Sequence, residues 1–234
     1  ATTATTGLAA IYSDGSINGG NIDAANVALE ADTGIGNTAT ITLDAADSNL
    51  GARTDLGNID IESLGNVTVG VVDTVDGVYT GGSHIRLTAR GDLNVTADVI
   101  ADPTVGGDEV VLIANFEELD NPVAGNGDGL GNLTQTGGII SAGDGVFLSG
   151  QNVTLTDVAA AGTSDFNGLD LGRVNNFGAA GIAQQVGIVV SSGGHIQLNE
   201  GLVTSAATNG IIAMFAGADP SGVYNAMLPY GNLT

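Results

Sequence analysis

An apolar-x-apolar phrase returns along this chain at a step of 26 residues, and that step limits the folds open to it. Ile17, Leu43, Val69 and Val95 stand 26 apart, as do Ile41, Val67 and Leu93. Ile59, Ile85 and Val111 keep the step, and so do Ile61, Leu87 and Ile113. Asn58–Val69 lies over His84–Val95, with Gly65 falling on Gly91. A period of this length built from strand-like units predicts a solenoid, whose coils bury their apolar faces only against one another.

Within each phrase the residues alternate, which turns one set inward and the other to water. Ile59 and Ile61 point in while Asp60 points out, and Arg86 points out between Ile85 and Leu87. Successive runs such as Ile59 to Val67, Ile85 to Leu93 and Ile188 to Ile196 are 8 residues apart, so about three sides complete a coil. Gly210–Met214 laid over Gly187–Ser191 gives a shorter coil of 23. The expected fold is all-β, a single-stranded parallel β-helix running through residues 1–234 as one elongated domain, with rungs about 4.8 Å apart. An antiparallel β-sandwich is the alternative, because it too uses short, closely spaced strands. It gives no reason for phrases to recur in the same order at a fixed step. Segments 98–109, 115–137 and 157–186 break the rhythm and read as loop insertions on the stack.

The bulk composition narrows the function. There is no cysteine, hence no disulfide framework or thiolate metal site. The 26 acidic residues face only four arginines, Arg53, Arg86, Arg90 and Arg173, and the net charge is −22. Such a surface repels nucleic-acid phosphate and anionic lipid and attracts cations. No run of 18 apolar residues suggests a membrane span. The start at Ala1 and the end at Thr234 read as those of a segment from something longer.

Gly131–Leu155 (GNLTQTGGIISAGDGVFLSGQNVTL) carries a family resemblance, echoed by Gly81–Leu87 (GGSHIRL) and Gly193–Leu198 (GGHIQL). It resembles the repeats of filamentous-haemagglutinin-like large exoproteins of bacterial surfaces. The resemblance spans most of residues 15–215 as a style of repeat. It implies a right-handed parallel β-helix, a secreted or cell-surface location, and a role as adhesin, stalk or filament component. The N-terminal motifs of that family's secretion domain are not recognisable in Ala1–Asn18.

Several residues offer candidate chemistry. Glu117 and Glu118 are the adjacent carboxylates that a glycosidase reading would use, but neighbours in a strand point to opposite sides. Asp60 and Arg86 fall on neighbouring rungs as an exposed ion pair of little energetic value. His84 and His195 hold equivalent places in the Gly/Ser-His-Ile-x-Leu phrase, which argues for a structural role at a strand entrance. Oxygen-rich segments 115–122, 125–129 and 44–47 are candidates for calcium, without matching a known calcium loop. Asn-x-Thr sequons occur at Asn66, Asn94, Asn132, Asn152 and Asn232, several of them in strand phrases. The expected function is non-enzymatic: a structural or adhesive extracellular module that associates end to end or forms a stalk. The alternative is a β-helix that binds or cleaves surface glycans in a groove lined by Phe116, Phe166 or Phe177.

Overall fold

The structure, a computed structural model, describes residues 2–102, 104, 108–114, 131–164, 166, 186–199, 203–206 and 210–216. Every described element is a strand, numbered β1 to β24 along the chain. Three parallel sheets wind round one axis as a parallel β-helix. Sheet A stacks β1 (Thr2–Ser13), β3 (Asn21–Ala31), β6 (Asp47–Thr54), β11 (Val78–Thr80), β14 (Val99–Ala101), β17 (Ile140–Ala142), β20 (Val158–Ala160) and β23 (Val203–Ser205). Sheet B begins with β2 (Ser16–Ile17), β4 (Gly34–Ile35) and β5 (Ile41–Leu43), which lead to β7 (Ile59–Ser63). It continues through β12 (Ile85–Ala89), β15 (Val110–Ala114), β18 (Val146–Gly150), β21 (Ile188–Ser192) and β24 (Ile212–Ala216). Sheet C stacks β8 (Asn66–Val69), β13 (Leu93–Val95), β16 (Leu133–Gln135), β19 (Val153–Leu155) and β22 (Ile196–Leu198). Strand pairing is parallel throughout except in the small hairpin β9 (Val71–Val72) and β10 (Val75–Asp76), which excludes the sandwich.

The core is a set of inward rows. Ile59, Ile85, Val110, Val146 and Ile188 sit in register up sheet B, and Val67, Leu93, Leu133, Val153 and Ile196 do so up sheet C, all fully buried. Burying one such side chain stabilises by about 1.5–3 kcal/mol. Gln135 interrupts a core row above Val95 with no exposure at all. Its Nε2 donates to the carbonyls of Gly138 and Asp157 at 2.9 and 2.8 Å, and its Oε1 accepts from the amides of Thr156 and Asp157. Every polar atom of the side chain is thereby paired, which removes the usual cost of a buried amide.

The 26-residue step is real but local. It joins β7 to β12, β8 to β13 and the second half of β6 to β11. Earlier coils are shorter: Ile17 faces Ile35, Ile41 faces Ile61, Leu43 faces Ser63, and Val69 stacks on Leu50. The long strands β3 and β6 turn from sheet C into sheet A without a loop, so fewer residues close the coil.

The next coil is one residue short. Ile85 faces Val110 and Leu87 faces Leu112, which turns Val111 and Ile113 outward. Alternation could not distinguish the two sets, because Val110–Ala114 is apolar at every position and buried on both faces. Near the C-terminus Ile188 faces Ile212, a step of 24, and Ile211 is left 43% exposed.

The insertions are also narrower than expected. Strands β14, β16 and β20 occupy parts of the three segments read as loops. Their second inward positions are Ala101, Gln135 and Ala160, too small or too polar to register as a core signal.

Candidate functional site

Three groups of polar residues stand out on this frame. The first is a side-chain ladder at the corner leading into sheet C. Asn66 Nδ2 donates to Asp47 Oδ1 at 2.8 Å, and Asn66 Oδ1 accepts the Asp92 amide at 2.8 Å. Asp92 Oδ1 accepts the Asn132 amide and Nδ2 at 2.8 and 3.2 Å. Asn152 Nδ2 then donates to Asn132 Oδ1 at 2.8 Å, and Asn152 Oδ1 accepts the His195 amide at 3.1 Å. Corner glycines make room for it: a Cβ on Gly91 would collide with Asn66 Oδ1, and one on Gly65 with the Ala46 carbonyl. Three of the sequons follow from the same geometry, with Asn in the ladder, an apolar residue inward and Thr outward. Asn66, Asn132 and Asn152 are ladder members; Asn94 lies in β13 on the outer face, and Asn232 lies outside the described residues. Outside this corner, Asp47, Asn49, Asn66, Thr68, Asp92 and Asn94 line a shallow cleft of about 200 Å³.

The second group lies on the outer face of sheet B. Arg86 Nη1 meets Asp60 Oδ1 at 2.9 Å on adjacent rungs, with side-chain exposures of only 8% and 25%. This corrects the expected exposed pair. The outer face of sheet B is covered from β12 to β21, so the pair is shielded and losing one partner would strand a buried charge. Arg90 pairs with Glu62 at 3.0 Å beside it. Higher up, the same face turns apolar: Val111, Ile113, Phe147, Phe166, Val186 and Val189 form a second cluster outside the helix. Phe166 packs edge-on against Phe147 with ring centroids 5.9 Å apart. It is 4% exposed and therefore lines no glycan groove; Phe116 and Phe177 lie outside the described residues.

The third group is at the corner leading into sheet B. Asp108 is 2% exposed, and its carboxyl is pushed up from 3.8 to about 6. Burial is the main cause, followed by the negative charges of Glu109, Asp102 and Asp144. Ser164 Oγ donates to Glu109 Oε1 at 2.8 Å and so ties the following insertion to the same corner. Sequence reading missed this group because Asp102, the Asp108–Glu109 pair, Asp144 and Ser164 are separated along the chain and come together only through the coil register.

The remaining candidates resolve simply. His84 and His195 each stand at a strand entrance, in sheets B and C respectively, and their carbonyls accept the Ile59 and Val153 amides at 3.0 and 2.9 Å. Burial holds the His84 imidazole below its ordinary value, opposed by Asp60 and aided by Arg86, which keeps it neutral at pH 7. Of the calcium candidates, Asp47 is a ladder member and Asp44 is exposed, while 115–122, 125–129, Glu117 and Glu118 lie outside the described residues. Among the described residues no three His, Asp or Glu side chains converge on one metal position. The fold defines the parallel β-helix class. No family model, curated protein or solved structure matches the chain.

Two measurements check this geometry. Asn66→Ala removes two ladder bonds and should cost about 1–3 kcal/mol in urea unfolding. Asn94→Ala, which removes no ladder bond, should stay within about 0.5 kcal/mol. Between pH 3.8 and about 6 folded Asp108 holds a proton that the unfolded chain does not. Stability in chelator should therefore rise as the pH falls from 7 to 5, and Asp108→Asn should flatten part of that rise.

Proposed function

We propose that this chain is a structural module of a secreted, surface-borne assembly, extended by end-to-end association of its coils. The observation that carries the reading is the edge of β1. This 12-residue strand hydrogen-bonds to β3 on one side, and among the described residues no strand pairs with its other side. Unpaired edges of this length are templates for further parallel strands. Thr2–Ser13 carries no charge, proline or lysine that would blunt the edge, and its one irregularity, a register shift between Ala4 and Leu8, leaves Leu8–Ser13 in unbroken register on β3. Leu8 and Tyr12, 50% and 51% exposed, add apolar surface beside it.

The rest of the molecule suits a load-bearing rod. Backbone bonds and apolar rows run along the axis from coil to coil, joined by the polar ladder from Asp47 to His195 and by two ion pairs between the β7 and β12 rungs. The acidic, lysine-free exterior keeps such rods apart laterally while leaving their ends free to join. The resemblance of Gly131–Leu155 to surface exoprotein repeats supports the extracellular setting. Negative-stain microscopy of the 234-residue chain over a concentration series should show rods that lengthen in multiples of one unit. Single rods of one length, with a monomer mass at the highest concentration, would contradict the proposal.

A further inference from the structure

The turn that leads into sheet B holds a carboxylate oxygen with nothing to bond. Asp108 Oδ2 is buried and has no hydrogen-bond partner. Buried polar atoms in folded proteins are almost always satisfied, and an orphan points to a water or an ion. The corner around it is built, not loose. Val110 faces Val146, which sets Asp144 one rung above Asp108, and the Asp144 amide donates to the Asp108 carbonyl at 2.9 Å. Both carboxylates thus leave the same turn on rungs about 4.8 Å apart.

Gly162 and Ser164, just after β20, lie against this corner. A Cβ on Gly162 would stand 2.6 Å from Asp144 Oδ1, so glycine leaves that oxygen its place. Ser164 holds Glu109 Oε1, and the charges that act on Asp108 (Glu109, Asp102 and Asp144) are all negative. A shielded carboxylate among like charges is stable either protonated or beside a cation.

We propose that Asp108 and Asp144 bind one calcium ion at this corner, through Asp108 Oδ2 and the Asp144 carboxylate. Among the described residues no third acidic side chain shares the position, so backbone carbonyls and water complete the shell. Calcium accepts six to eight oxygens of mixed kind in a flexible arrangement, whereas magnesium requires a near-ideal octahedron and sheds its water reluctantly. The ion pairs the orphan oxygen and ties two rungs together beneath the start of the 161–187 insertion.

The test uses the 234-residue chain stripped with chelator and titrated with calcium chloride at constant ionic strength. Calorimetry should give one site with a Kd of about 0.1–1 mM, and the melting temperature should rise with calcium more than with magnesium. Asp108→Asn and Asp144→Asn, each made separately, should fold and should weaken calcium binding by about tenfold or more, because ligand charge sets the affinity. An unmoved melting temperature in the unaltered chain would overturn the proposal. So would an equal response to magnesium, or a calcium response retained by both variants, which would mean general screening of an acidic surface.

Discussion

Each coil is held to the next by in-register parallel backbone hydrogen bonds, and every other property of the molecule is conditioned by them. A parallel ladder fixes which residue lies on which, and a side-chain period of two then fixes which residues enter the core. Ile59 on Ile85 on Val110, and Val67 on Leu93 on Leu133, are consequences of that register. The ladder constrains neighbouring strands but not the length of chain between them. Coils can therefore shorten, as between β17 and β20, or take up long insertions, as between β20 and β21, without disturbing the stack.

Because identical positions recur on every rung, polar residues become ladders as readily as apolar ones. The corner into sheet C carries amide and carboxylate groups that bond along the axis from Asp47 to His195. The corner into sheet B stacks carboxylates instead, and there the repetition is unfavourable. Asp108 lies below Asp144, and the neighbouring charges that act on it, Glu109, Asp102 and Asp144, are negative. The same translation that satisfies one corner leaves the other with a buried, unpaired oxygen. On the outer face of sheet B, opposite charges on adjacent rungs, Asp60 with Arg86 and Glu62 with Arg90, turn the repetition to advantage.

The fold class was legible because Ile59–Val69 and Ile85–Val95 repeat without a slip, and the structure keeps that match residue for residue. The slip at Val110–Ala114 was hidden by its cause. The strand is apolar on both faces, since Phe147 and Phe166 build a second cluster on its outer side. Strands β14 and β20 escaped notice because alanine fills their second core position, and β16 because glutamine does. The Asn-x-Thr sequons were visible, but their meaning depends on which residue stands one rung away. The Asp108 corner was invisible for the same reason: residues 108, 144 and 164 meet only once the coil lengths are known.

Engineered cysteine pairs test the register most directly, because the chain has no cysteine of its own. Asn94 faces Thr134 across an insertion, and Thr134 in turn faces Thr154. Adjacent rungs at about 4.8 Å suit a disulfide, whereas two rungs at about 9.6 Å do not. The pair Asn94→Cys/Thr134→Cys should oxidise readily to an intramolecular disulfide, and the pair Asn94→Cys/Thr154→Cys should not. Efficient closure of the second pair, or failure of the first in folded protein, would contradict the stacked parallel register.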